Sequence, residues 1–334
     1  MNQTTPNPTS RQAAIEEDKR QPHRSLKKKL IYLLRLFIFI TVVIALGATV
    51  RNGWSQISES KTGLSQLNFM CLLAALISYL VAMSLSCVFW RIALDALNCH
   101  PTWSRTFLAF FASQLGKYVP GKAMVVVIRT DMIRHDSSDL VEAAASVFVE
   151  TLTWIFVGSV ISCILISLRF SDQVSLQLTA LGLASIAGLA TSPPVFRWLA
   201  SKTTKRSIEL FAGINAKTML YGWSIMSIAW CFNALSLHLI LASFPESNTN
   251  AGDFLTALAC VSLATVAGFA SLLPGGVGVR ELVMLPLLTP KYGAAIAIFA
   301  AILIRLIWIS AELLGSGIIY LWLQYGRGGL NAEP

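Results

Sequence analysis

Apolar residues run along this chain in blocks of about twenty, and within a block they do not alternate with polar ones. A helix needs about 20 apolar residues to cross a hydrocarbon core of ~30 Å, whereas a barrel strand needs only ~10 alternating ones. The blocks therefore predict helices. Uninterrupted blocks at 30–50, 69–90, 140–168, 174–193, 219–241 and 294–322 predict six full spans. The weakest is 174–193, which carries Gly182 and Gly188.

Two further blocks are broken. In 106–128 the apolar run is interrupted by Gly116, Pro120 and Gly121, and neither half is long enough to cross at 1.5 Å per residue. In 254–288 the interruption reads Pro274-Gly275-Gly276-Val277-Gly278-Val279-Arg280-Glu281. Each broken block predicts a re-entrant hairpin of two half-helices. The expected fold is an all-α polytopic membrane protein with about six full spans and two re-entrant broken-helix hairpins.

Charge orients these elements. A basic run from Arg24 to Lys29 precedes the first block, and Arg197, Lys202, Lys205, Arg206 and Lys217 follow the fourth. Cations accumulate on the cytoplasmic side of short loops. The segment 244–253 holds Glu246 and Asp253 but no Lys or Arg, which suits the outer side. Three stretches follow: a disordered cytoplasmic tail over 1–25, a transmembrane domain over 26–326 and a short cytoplasmic tail over 327–334. Span 69–90, the first hairpin and span 140–168 form one unit. Span 219–241, the second hairpin and span 294–322 form another of opposite orientation. Inverted repeats with broken helices characterise many transporters; ordinary kinked helices in a structural bundle are the alternative.

Composition agrees. Of the 334 residues 55% are hydrophobic and 13% charged, and mean hydropathy is +0.64. Soluble domains carry about 25% charged residues. The net charge of +9 lies mostly in clusters beside apolar blocks, so it reads as topology signal and anionic-lipid contact rather than as a nucleic-acid surface. The six cysteines show no Cys-x-x-Cys and no histidine at ligand spacing, so neither a disulfide nor a metal is expected. No Walker loop, His-Glu-x-x-His or Gly-x-Ser-x-Gly occurs, and no cofactor is expected.

Ionisable residues within spans are costly and mark candidate function. Glu150 and Arg305 both fall near the bilayer centre, and an ion pair between them is the cheapest arrangement, whether it serves a ligand or only locks two spans. Glu312 lies deeper than a loop charge should and is a candidate member of the same polar centre. Lys117 and Lys122 flank the first break, with Pro120 and Gly121 in it. Arg280 and Glu281 follow the second, whose breakers are Pro274, Gly275, Gly276 and Gly278. Half-helix N-termini after Gly121 and Gly276 would offer free N–H groups beside cations, an arrangement suited to phosphate; snorkelling to the headgroups is the competing role. Arg91 and Asp95 are expected to pair locally, and His238 to serve packing. Asp131, His135 and Asp136 are the only candidates for cytoplasmic acid–base chemistry, and they read as a solvated loop running from Arg129 to Asp139.

These motifs resemble the transmembrane region of the lysylphosphatidylglycerol synthase/flippase family. The resemblance is carried by Leu115-Gly116-Lys117-Tyr118-Val119-Pro120-Gly121-Lys122, by Glu150, by Leu273-Pro274-Gly275-Gly276-Val277-Gly278-Val279-Arg280-Glu281 and by Arg305, and covers about 28–325. It implies a prokaryotic plasma (inner) membrane protein that handles lipids and chiefly moves them between leaflets; the charge pattern puts both of its termini in the cytoplasm. In two-part members a soluble aminoacyltransferase domain follows. This chain ends at Pro334, so that domain and its lysyl transfer are expected to be absent and the chain is not expected to be an enzyme. Where the family often has Arg after the glutamate, this chain has Thr151. The leading expectation is a flippase-like protein that binds or translocates an anionic or polyprenyl-type lipid. An accessory subunit of an envelope glycolipid pathway and a membrane-embedded transferase are the alternatives. The expected partners are lipids with a phosphate-bearing headgroup, with a synthase, a glycosyltransferase or a second copy of the chain also in view.

The charge pattern makes a direct prediction. A cysteine at Thr204 should react with an impermeant maleimide only from the cytoplasmic side, and one at Asn248 only from outside; reversal at either site would overturn the derived orientation.

Overall fold

The computed structural model describes residues 66–118, 123–133, 140–271, 273–276 and 278–328. The expected span 30–50, the 1–25 tail, Pro120, Gly121, Lys122, His135 and Asp136 lie outside these residues. Among the described residues all regular structure is helical.

The helices are α1 (Phe69–Ala96), α2 (Trp103–Gln114), α3 (Ala123–Ile133), α4 (Leu140–Arg169), α5 (Val174–Thr191), α6 (Pro193–Thr204), α7 (Ala216–Ala242), α8 (Asp253–Ala270) and α9 (Val279–Gly328). Short 3-10 turns at Leu115–Tyr118 and Pro274–Gly276 follow α2 and α8. Six described helical segments are long and apolar enough to cross a membrane: α1, α4, α5, α7 with the turn that precedes it, α8 and α9. The protein is thus a multi-pass membrane protein. The starts are set by local chemistry. Asn68 accepts from the amides of Met70 and Cys71, and Asn215 accepts from that of Thr218, satisfying first-turn donors that have no helical partner. Pro193 and Pro194 open α6, where a missing N–H costs nothing.

The two broken blocks fold differently from each other. In the first, α2 has 12 residues and α3 has 11, so they reach roughly 18 and 16 Å, well short of a bilayer core. They pack on each other, and a Cβ on Gly116 would lie 2.9 Å from the Val125 backbone nitrogen, so this approach requires glycine. In the second, the segment expected as the first half of a hairpin is the 18-residue helix α8, about 27 Å long, which meets the length for crossing. Its buried residues run without a gap from Ala257 to Gly268. A helix apolar on every side belongs at the centre of a bundle, and α8 packs against α4, α7 and α9.

Helix α9 contains Pro286 and Pro290 and changes direction at Gly293, where φ is 78° and ψ 160°. Its second segment coincides with the predicted span 294–322. The turn at Pro274–Gly276 needs positive φ at Gly275 and Gly276, and Gly276 rests so closely on Gly268 of α8 that a Cβ would sit 2.8 Å from the Gly268 Cα. The two 3-10 turns touch each other, so both breaks meet inside the bundle.

Helices α1 and α7 share the most extensive interface. Gly222 of α7 lies against the Phe89 ring, where a Cβ would come within 2.4 Å of Phe89 Cζ. Small residues permit such close crossings in membranes. Gly222→Leu should therefore force the helices apart and lower stability by about 1–3 kcal/mol, seen as a reduced Tm in detergent. An unchanged melting curve would refute this account of the interface.

Candidate functional site

A bare charge at mid-membrane costs about 3 kcal/mol or more on insertion scales, so each deep ionisable residue should have a partner. Three ion pairs meet this demand. Arg129 Nη1 donates to Glu150 Oε2 at 2.7 Å, and Arg129 Nε donates to Ser113 Oγ at 2.9 Å. Arg305 Nη2 donates to Glu281 Oε2 at 2.9 Å and to the Gly276 carbonyl at 3.1 Å. Lys117 pairs with Glu312, which is fully buried and also accepts from Tyr79 Oη at 2.5 Å.

The expected Glu150–Arg305 pair is thus corrected. Both residues are buried, at 5% and 8% exposure, but each has a different partner. Depth along a helix axis gives no azimuth, and the two side chains face different breaks. The partner of Glu150 is a residue the sequence reading assigned to a loop. Helix α3 extends to Ile133 and carries Arg129 inward, where it is 2% exposed. Its guanidinium lies 4.2 Å from the Phe110 ring centre and 4.9 Å from that of Trp90, so aromatic faces and a carboxylate together replace its hydration. The sequence signal for this was weak: Arg129 directly ends the apolar run Met124–Ile128.

The N-terminus of α9 also differs from expectation. The Gly278 amide at its start is already taken by the chain itself. Glu281 reaches back and accepts from the Gly278 amide at 2.9 Å, while its other contacts go to Arg305. This is half of a capping box, with the chain's own carboxylate at the positive end of the helix. Arg91 and Asp95 do pair, at 3.0 Å.

Between the breaks lies a cavity of about 110 Å³. Lys117, Arg129, Glu150 and Arg280 are its ionisable lining residues, and Gly275 brings the second break to its wall. Neutral polar lining comes from Ser86, Gln114, Thr151, Asn233 and Thr265, and aromatic faces from Tyr79, Phe110, Trp154, Phe269 and Trp308. Tyr79 and Trp308 stack with centroids 4.4 Å apart, and Trp308 Nε1 donates to Ser236 Oγ at 3.2 Å. The Arg280 guanidinium sits 5.6 Å from the Trp308 ring centre. Among the described residues Arg280 has no carboxylate partner, and its buried Nε has no hydrogen-bond partner. The sequence-named residues Lys117, Glu150, Gly275 and Arg280 thus share one cavity, with Glu281, Arg305 and Glu312 bonded behind it. Gly276 abuts α8, Gly278 is exposed, and the backbone of Pro274 opens the turn.

The family model of the Lysylphosphatidylglycerol synthase TM region matches residues 32–311, most of the chain. No curated protein matches.

Because Arg129 would be left as an uncompensated buried cation, Glu150→Gln should destabilise the protein by about 3–5 kcal/mol. Adding Arg129→Met should recover part of that loss, while adding Arg305→Gln should give additive losses. Denaturation in detergent of these variants together with the Arg129→Met and Arg305→Gln single variants tests the pairing; coupling to Arg305 instead of Arg129 would contradict it.

Proposed function

The chain belongs to the Lysylphosphatidylglycerol synthase TM region family, a membrane family of lipid modification or transport, and from that premise we propose that it binds a phosphate-bearing lipid headgroup in the central cavity and passes it between leaflets. The observation that carries this reading is Arg280. Three cations around the breaks are neutralised by carboxylates of the chain, whereas Arg280 faces the cavity over Trp308 without one among the described residues. A cation held in a low-dielectric wall strongly favours an incoming anion. The fork of a guanidinium suits the oxygens of a phosphate, with which it makes charge-assisted, bidentate hydrogen bonds.

The contact between the two breaks supports a site at the junction of two inverted halves. In this reading α2 and α3 form a re-entrant hairpin, both termini lie in the cytoplasm, and the bilayer is the plasma membrane of a prokaryote. The basic residues of 197–217 and the acidic 244–253 loop support that orientation.

Arg280→Lys preserves charge but removes the fork. It should lower both retention and leaflet transfer of an anionic phospholipid in reconstituted vesicles by about tenfold, with an unchanged Tm. A variant that matches the parent in both lipid assays would refute the phosphate role of Arg280.

A further inference from the structure

Helix α6 has 12 residues, about 18 Å, and is too short to cross a bilayer core. Val195, Trp198, Leu199 and Lys202 recur at i, i+3, i+4 and i+7, so they share one face, and all four are exposed. The Lys202 ammonium lies 5.9 Å from the Trp198 ring centre. An apolar stripe edged by a tryptophan and a lysine suits the boundary between headgroups and acyl chains, where the lysine stem lies on the stripe and its charge reaches the phosphates. Other contacts hold α6 in place. It packs on α5 and on the 3-10 turn at Ile208–Phe211, Phe196 is buried, and Arg197 Nε donates to the Ile214 carbonyl at 3.0 Å. Lys205 ends the helix in the left-handed region with φ 55°, and Ser201 Oγ donates to the Arg206 carbonyl at 2.7 Å. The chain therefore turns back with Lys205 and Arg206 at the same end of α6 as Lys202.

Between α6 and the start of α4 lies an open groove of about 370 Å³. Its wall on α4 runs from Leu140 to Leu152, about 18 Å along the axis, and its wall on α6 from Phe196 to Thr204. All its lining residues are apolar except Thr203 and Thr204, which donate their hydroxyl protons to the Leu199 and Ala200 carbonyls at 2.8 and 2.7 Å. The side chains of the groove thus keep no hydrogen-bond donor for an occupant. The groove and the central cavity share no lining residue: Phe148 and Leu152 line the one, and Glu150 and Thr151, elsewhere on the same helix, line the other. The surroundings at the α6 end are basic. Residues 197–217 carry Arg197, Lys202, Lys205, Arg206 and Lys217 against one carboxylate, Glu209. Glu142 of the first α4 turn does not line the groove.

We propose that this groove is a second lipid site, which takes an acyl chain of one anionic phospholipid of the cytoplasmic leaflet while Lys202 and Lys205 hold its phosphate. Shape and charge favour that occupant. An apolar wall on a spanning helix runs in the direction of the lipid tails, and the basic end of α6 complements an anionic headgroup. The lipid then packs on α4, the helix that also carries Glu150 into the central cavity. The site rests on the charge-derived orientation and not on Arg280, so its failure and the failure of the phosphate reading are separate.

The test is photo-crosslinking of the full chain in nanodiscs of equimolar phosphatidylglycerol and phosphatidylcholine with identical acyl chains. The photoreactive residue p-benzoylphenylalanine replaces Phe148 on the α4 wall, Leu199 on the α6 wall or, as a reference, Ile186, an exposed residue of α5. The mass of each adduct identifies its partner. At Phe148 and Leu199 phosphatidylglycerol should be captured about tenfold over phosphatidylcholine, the worth of two partly screened lysines at a membrane surface. At Ile186 the two lipids should be captured in proportion to their amounts. Lys202→Gln combined with Lys205→Gln should bring the groove ratio down to that of Ile186 while phosphatidylcholine is still captured, because the apolar walls remain. Raised salt should lower the groove ratio in the parent protein. Equal ratios at the groove and at Ile186 would overturn the site, and so would a groove ratio that survives the double lysine change. Adducts to a second copy of the chain, or to another segment of the same chain, in place of lipid would overturn it by identifying a different occupant. Since the groove and the central cavity share no lining residue, each of these results leaves the Arg280 reading untouched.

Discussion

The polar interior of this bundle is governed by the expense of an uncompensated charge in a low-dielectric medium. Six buried or half-buried ionisable groups are tied into three pairs, and each pair crosses between elements that are distant in sequence: α3 with α4, the first break with α9, and the start of α9 with its second segment. Replacing such a pair with apolar residues often costs little, but removing one partner is severe. The pairs therefore do more to fix which helix faces which than to add net stability. Where lipid gives apolar helices little reason to prefer one face over another, these pairs and the close glycine contacts supply the specificity.

The same constraint explains the concentration of aromatic rings at the centre. Arg129 lies against both the Trp90 and the Phe110 ring, and Arg280 over a Trp308 ring that is itself stacked on Tyr79. A guanidinium is weakly hydrated and planar, so ring faces can replace part of its water where a lysine ammonium would lose more. Lys117 shows the contrast: it points at a carboxylate and a phenol instead.

Much of this was legible in the sequence. Lengths of apolar blocks located five of the described spans, Gly116 marked the first break and Pro274-Gly275-Gly276 the second. Glu150, Glu281, Arg305 and Glu312 stood out because ionisable residues are costly in apolar blocks. Partner choice was not legible. Glu150 and Arg305 share a depth, but contact depends on rotation about each helix axis and on neighbours, neither of which residue spacing supplies. Arg129 was missed because it begins a charged stretch, and a charge at the edge of an apolar block looks like a loop residue. Helix α8 looked like half a hairpin because its end coincides with a breaker motif, although its 18 residues already suffice to cross. The occupation of the α9 N-terminus by Glu281 could have been found, since a carboxylate three residues after an N-cap is the familiar capping spacing.

The second segment of α9 has a mechanical consequence. Arg305 and Glu312 lie two turns apart on one face of it; the first holds Glu281 and the Gly276 carbonyl at one break, and the second holds Lys117 at the other. This segment is a common axle for both breaks. Moving one break alone means either separating an ion pair in a medium that penalises separation by several kcal/mol or carrying the axle along, and the axle then drags the other break. Gly293 breaks the helical backbone between the two segments of α9, so the Arg305–Glu281 pair is what ties the axle back to the α9 start. The two breaks are thereby linked through one helix segment, and displacing either is costly unless both ion pairs are kept.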